Sequence, residues 1–220
     1  MNFINKTITN GDLVIDVGAN IGSESILAAS KGKNVKVFAF EPTDSLIPLL
    51  KENIAINGFS KRVEIIQKAV SKKNGKIKFV LEAESEINHI ASENIEDKNV
   101  KIVNCITLDT FVKEKGINYI DFLKVDVEGA ELFVFQGAKN CFRENKISII
   151  LFELNKKIAD FGYKSKELIE LLKNNNFFVF KFDNNEKLSL INANYNFPKT
   201  VNLVAVSKKS KAVKKILEYV

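Results

Sequence analysis

Short apolar runs alternate with amphipathic stretches along nearly the whole chain. Leu13 to Val17 and Val35 to Phe40 are continuous β-branched and aromatic runs, the pattern of strands buried on both faces. Between them, residues 23 to 30 read as a helix, ended by Lys31-Gly32-Lys33-Asn34. Pro42 has no N–H to donate and closes the second strand. A second helix follows from about Thr43 to Ile56, with Asn57-Gly58 as its stop. A third strand spans about Val63 to Val70, and Lys73-Asn74-Gly75-Lys76 is a turn into another at Ile77 to Leu81. Glu82 to Asn99 is polar and irregular, a surface loop. Val100 to Ile106, Tyr119 to Val125 and Ile147 to Phe152 are further strands, separated by a short helix at 107–116 and one starting near Gly129. Lys164 to Asn174 carries Leu168, Leu171 and Leu172 on one helical face. Phe177 to Phe182, Leu188 to Ile191 and Val201 to Val206 supply closing strands, and residues 208–220 read as a basic helix. This alternation predicts an α/β fold with a mainly parallel sheet. With 220 residues, no repeat and no linker, it predicts one domain over 1–220, with a short extension at 1–10.

Composition narrows the chemistry. No apolar run approaches the roughly 20 residues of a membrane-spanning helix, and the polar first ten residues have no signal-peptide core. Cys105 and Cys141 stand far apart, outside any CxxC. With one histidine they cannot build a structural zinc site, and sparse cysteine use points to the cytoplasm. The net charge is +6, but only Arg62 and Arg143 among the 33 basic residues are arginine. Bidentate recognition of phosphates and guanines favours arginine, so no nucleic-acid partner is expected.

Three acids end three strands: Asp16, Glu41 and Asp126. In open parallel sheets, ligands bind outside the carboxyl ends of the strands. Asp16-Val17-Gly18-Ala19-Asn20-Ile21-Gly22 is a strand–turn–helix whose glycines let a ligand approach the backbone. It lacks the GxGxxG spacing, and GxxxxGK[ST] is absent from the chain, so a pyrophosphate ligand is disfavoured. Glu41 lies about 20 residues beyond the turn, the place for an acid that accepts both hydroxyls of a ribose. Leu123 to Glu131 delivers Asp126, Glu128 and Glu131 after an apolar strand, with Gly129 allowing a tight turn. The macrodipole of the following helix accounts for Glu128 and Glu131 more readily than for Asp126. The whole set reads as carboxylates and glycines without a basic anion clamp, suited to a cationic ligand.

DVGANIG at 16–22, FEP at 40–42, KVDVEGAEL at 124–132, Gly137 and Asp109 in TLDTF together resemble the FkbM-type S-adenosylmethionine-dependent methyltransferases, over about residues 11–183. The resemblance implies a Rossmann-like class I methyltransferase fold: a seven-stranded, mostly parallel sheet with the last strand antiparallel and helices on both faces. It implies S-adenosylmethionine as methyl donor and O-methylation of a sugar or another small-molecule hydroxyl. Asp16, Gly18, Ala19, Asn20 and Gly22 would line the methionine and ribose end, Glu41 with Pro42 the ribose, and Gln67, Ala69 and Val70 the adenine. Asp126 would face the methyl donor or the acceptor. His89, Asp126, Glu128 and Glu153 are rival bases; no metal is expected, the alternative being magnesium or calcium on Asp126, Glu128 and Glu153. Other readings are a non-catalytic binding module and a nucleic-acid methyltransferase. Against the second, NPPY and DPPY are absent, since Val127-Glu128-Gly129 follows Asp126. Little chain precedes the first strand, so cover for the acceptor pocket falls to residues 82–99 and 156–164, with His89, Phe161 and Tyr163 as acceptor-side candidates, or to a second copy or the rest of a longer parent chain.

Overall fold

A computed structural model describes residues 2–80, 89–90, 100–183, 187–191, 195, 197–198 and 200–217. The chain opens with helix α1 (Asn2–Thr7), then β1 (Leu13–Val17), α2 (Ser23–Ala29), β2 (Lys36–Phe40), α3 (Ile47–Ile56) and β3 (Val63–Ile66). Next come β4 (Ala69–Val70), β5 (Gly75–Val80), β6 (His89–Ile90), β7 (Val100–Ile106) and α4 (Leu108–Glu114). Then follow β8 (Ile120–Val125), α5 (Glu131–Gln136), α6 (Lys139–Arg143) and β9 (Ile147–Asn155). A 3-10 turn (Lys156–Phe161) leads to α7 (Ser165–Asn174), β10 (Phe177–Phe182), β11 (Leu188–Leu190), β12 (Thr200–Ser207) and α8 (Ala212–Leu217).

The main sheet has the order β11-β10-β12-β9-β8-β1-β2-β3. Strands β9, β8, β1, β2 and β3 are parallel, and β12 runs antiparallel between β9 and β10. These are the seven expected strands with the last in chain order antiparallel; β11 adds an eighth as the hairpin partner of β10. The expected single strand at 63–70 is two strands in different sheets. β3 stops at Ile66, whose carbonyl accepts from both Glu41 N and Lys68 N, and that tight turn sends Ala69–Val70 to pair with β7. A second sheet of order β4-β7-β5-β6 results. The basic helix expected over 208–220 is confined to Ala212–Leu217 among the described residues. Of the expected loop at 82–99, only the backbone of His89–Ile90 falls within the described residues, paired with β5.

Continuous apolar strands bury both faces, and alternate side chains feed two layers. Ile15, Val17, Phe38, Phe40, Leu123 and Ile150 join Phe111 of α4, Phe135 of α5 and Leu168 and Leu172 of α7. Val14, Val37, Ala39, Phe122 and Ile149 join Ile4 of α1, Ala28 and Ala29 of α2, Leu50 and Ile54 of α3 and Ile216 of α8. The helices therefore sit on both faces, and the carboxyl ends of β1, β2 and β8 emerge side by side.

Candidate active site

Register decides which side chains meet. Asp16 on β1 pairs with Lys124 on β8 and with Ala39 on β2, so the acid and the lysine share one face. Lys124 in turn pairs with Leu151 on β9, and just beyond the last pair, Val125 with Phe152, the Asp126 and Glu153 carboxylates come within 4.8 Å of each other. Asp16 is 1% exposed. Its Oδ2 accepts from Ser25 Oγ at 2.6 Å, while the buried Oδ1 accepts no hydrogen bond from any described residue. Lys124 Nζ lies 3.5 Å from that Oδ1, 3.5 Å from Asp126 Oδ2 and 4.0 Å from Glu24 Oε2. It also approaches the Gly18 carbonyl at 3.3 Å. Burial alone would lower the lysine's pKa, but Asp16, Asp126 and Glu24 outweigh it and hold the group well above its ordinary value.

The turn after β1 is built by backbone contacts. Gly18 N and Ala19 N both donate to the Phe40 carbonyl. Gly18 has φ +83°, and a Cβ there would fall 1.9 Å from the Asp126 carbonyl oxygen, so only glycine lets the turn close against the end of β8. Asn20 sits in the left-handed region at φ 50° and donates its N–H to Glu41 Oε2 at 3.0 Å. Thr43 N–H reaches Glu41 Oε1 at 2.8 Å. The two amides hold a buried carboxylate in place and leave further lone pairs for a ligand. Burial raises the Glu41 pKa, the bonds from Thr43 and Asn20 oppose the rise, and Asp16 adds to it.

Two clefts share Gly18, Glu41 and Asp126. One, of ≈ 380 Å³, is walled by Val17, Phe40, Pro42, Ala69, Val70 and Phe79 among others. The other, of ≈ 960 Å³, is walled by Ala19, Asn20, Glu24, Lys124 and Glu128 among others. Together they form one groove along the carboxyl edge of the sheet, apolar at one end and acidic at the other. Gln67 is not in its wall; its Nε2 donates to Asp44 Oδ1 instead.

Beyond β8 the chain turns through Glu128 (φ 52°) and Gly129 (φ 99°). A Cβ at Gly129 would fall 2.8 Å from the Lys157 carbonyl carbon, so the turn leans directly on the 3-10 segment. Glu131, fully buried, fastens it by accepting from Val127 N and Gly129 N at 3.3 and 3.1 Å. Tyr163 Oη donates to the Gly129 carbonyl at 2.6 Å and stands 3.2 Å from Glu131 Oε2. Burial lifts the Glu131 pKa to about 7 against these bonds. Tyr163 is therefore a buried strut and not the acceptor-side group the sequence suggests. Phe161 is half-buried, edge-on to Phe133 at 5.6 Å. The His89 side chain lies outside the described residues.

One carboxylate oxygen each of Asp126, Glu128 and Glu153 lies within 4.8 Å of the others. Oxygen donors alone suit magnesium or calcium. Two of the three already face cations: Lys124 against Asp126, and Lys157 Nζ 3.7 Å from Glu128 Oε2, which also accepts from Asn155 Nδ2 at 2.9 Å. Burial, then Asp126 and Glu128, raise the Glu153 pKa, so it holds a proton more readily than an ordinary glutamate. Asp109 has a different role: both its oxygens accept from the Asn140 and Cys141 amides at the start of α6. A Cβ at Gly137 would fall 2.2 Å from the Ser71 carbonyl oxygen, which accounts for that glycine.

Residues 16–179 match the model of the Methyltransferase FkbM domain. The chain belongs to the FkbM methyltransferase family. Within curated proteins it is similar to methyltransferase sdnD of Sordaria araneosa, 28% identical over 59% of this chain and 61% of that protein. It is also similar to hexuronic acid methyltransferase AglP of Haloferax volcanii, 27% identical over 73% of this chain and 61% of that protein. The chain thus spans about three-fifths of the length of these relatives. Among solved structures, TrmK of M. capricolum in complex with S-adenosylhomocysteine superposes with a TM-score of 0.52 at 18% identity, covering 95% of this chain and 67% of that one. That likeness fixes the fold as class I methyltransferase. The FkbM motifs DVGANIG, FEP and DVEGAE are the segments that build the groove. Lys124, two residues before DVEGAE, belongs to the cluster, a role that the sequence alone does not give it. Its signal was its place in an apolar strand, where a buried lysine demands acid partners.

Proposed function

We propose that this FkbM domain transfers a methyl group from S-adenosylmethionine to a hydroxyl of a small polyhydroxylated acceptor, a sugar above all. Glu41 carries the reading. Its carboxylate lines both clefts and is fixed by the Asn20 and Thr43 amides with lone pairs left over, beside a glycine turn that keeps the backbone bare. A buried carboxylate with lone pairs left over favours a ligand that donates hydrogen bonds, and the two hydroxyls of a ribose are such donors. The acidic end of the groove suits the cationic part of the methyl donor, and the apolar end suits an adenine.

Bound there, S-adenosylmethionine supplies an electrophilic methyl on a sulfonium. An acceptor hydroxyl would take that methyl as the C–S bond breaks, and the donor would leave as a neutral thioether. The hydroxyl proton would pass to the carboxylates after β8 and on β9, with Glu153, made more basic by burial and by Asp126 and Glu128, as the proton acceptor. Catalysis beyond this is positioning of oxygen against methyl. The name of AglP, a hexuronic acid methyltransferase, supports a carbohydrate acceptor.

Calorimetric titration with S-adenosylmethionine tests the reading. The wild type should bind with roughly micromolar affinity, and Asp16→Ala and Glu41→Ala should each weaken binding at least tenfold, about 1.4 kcal/mol. No binding at millimolar donor by a folded protein would reduce the family likeness to fold alone.

A further inference from the structure

Lys124 stands between acids from three separate elements: Asp16 of β1, Glu24 of α2 and Asp126 after β8. It is not engaged in a one-to-one surface pair. Its side chain is 11% exposed, and its ammonium is equidistant, at 3.5 Å, from Asp16 and Asp126. Register fixes this, because Asp16 and Lys124 are cross-strand partners and small Ala39 flanks Asp16 on the other side. Without the ammonium, two carboxylates would face each other across the donor end of the groove and repel. With it, they are held together, and the Gly18 carbonyl at 3.3 Å ties the cation to the glycine turn as well.

The same charge has a second consequence, which rests on the groove binding S-adenosylmethionine. The methyl donor carries a net positive charge at neutral pH, through its sulfonium; the thioether product has lost that charge together with the methyl group. The acids of the groove favour the donor, and a fixed ammonium among them opposes it. We propose that Lys124 is a positioning residue that bridges Asp16 to Asp126 and sets how strongly the site distinguishes charged donor from neutral product.

The experiment is calorimetric titration of each variant with S-adenosylmethionine and with S-adenosylhomocysteine at fixed ionic strength, with circular dichroism to confirm folding. Lys124→Met keeps most of the length and removes the charge. The ratio of product Kd to donor Kd should rise about fivefold, the effect of one unit charge acting across several ångströms of partly screened protein. Lys124→Arg restores the charge and should return the ratio to the wild-type value even where packing weakens both ligands. Glu24→Gln removes an acid from the outer side of the cluster and should move the ratio in the opposite direction. That second sign keeps the test decisive if Lys124→Met fails to fold. A lysine that merely supported the fold would weaken both ligands in parallel, and an unchanged ratio in Lys124→Met or Glu24→Gln overturns the proposal. A wild-type protein that binds neither ligand is a different result, overturning the reading of the groove itself.

Discussion

A methyl group added at position 18 would overlap the Asp126 carbonyl, and no side-chain rotation can relieve a clash between two backbones. Gly18→Ala should therefore cost about 3 kcal/mol of stability, from steric overlap plus a left-handed conformation imposed on alanine. Donor affinity should fall at least tenfold; urea melts and calorimetry measure the two effects separately. Asp16, Gly18 and Glu41 were legible in the sequence because each lies where an unbroken apolar run gives way to a turn. Lys124 was hidden by its setting. Its neighbours read as a motif of acids, and only the pairing of β1 with β8 reveals that it faces Asp16. Glu131 was misread for a related reason. An acid at a helix start has a ready explanation in the macrodipole, but this one is fully buried and serves the turn before it. Tyr163 looked like an aromatic of the pocket; its hydroxyl instead points inward to the Gly129 carbonyl.

The turn between β8 and α5 is held by one buried acid with no cation beside it among its bonded partners. Glu131 has its pKa raised from 4.5 to about 7 by burial. Such a group stabilises the fold fully below about pH 4.5, and that contribution is lost as pH rises through 7. Across this window the loss is at most about 3 kcal/mol. Glu131→Gln keeps an oxygen for the Val127 and Gly129 amides and gains an N–H for Tyr163. Chemical denaturation at pH 5 and pH 8 should show the wild type losing stability relative to this variant as pH rises; Glu41 and Glu153 titrate in both proteins and cancel in the difference. Most elements of this size were legible, since doubly buried strands are unbroken apolar runs and amphipathic helices repeat every three to four residues. The break at Ile66–Ala69 was not. Residues 63–70 form one apolar stretch, and nothing local says that its halves join different sheets. The second sheet was equally hidden, because β4 finds its partner β7 more than thirty residues later.

At the scale of the whole molecule, two apolar layers clamp one sheet, and the groove opens along a single edge of it. Helix α1 belongs to the clamp. Phe3 packs against Phe122 at 6.2 Å and edge-on to Phe182 at 5.5 Å. Its absence from the groove wall separates stability from binding. Phe3→Ala should lower unfolding free energy by about 3 kcal/mol and leave the donor Kd unchanged, as thermal melts and calorimetry would record. Loss of donor affinity in proportion to stability would instead make α1 part of the site.

The pairing of β1 also bears on how the protein is made. One edge of β1 joins β2, which follows it closely, but the other joins β8, with Val14 opposite Phe122. A ribosome delivers these strands some hundred residues apart, at roughly 5–20 residues per second. For several seconds the emerging chain holds β1, β2 and β3 with a bare inner edge, open to any stray strand. Asp16 has no lysine to meet in that interval, so the half-made sheet cannot bury it without an uncompensated charge. Pairing of β8 with β1 closes that edge and brings Lys124 to Asp16 at once, so the groove needs both strands in place.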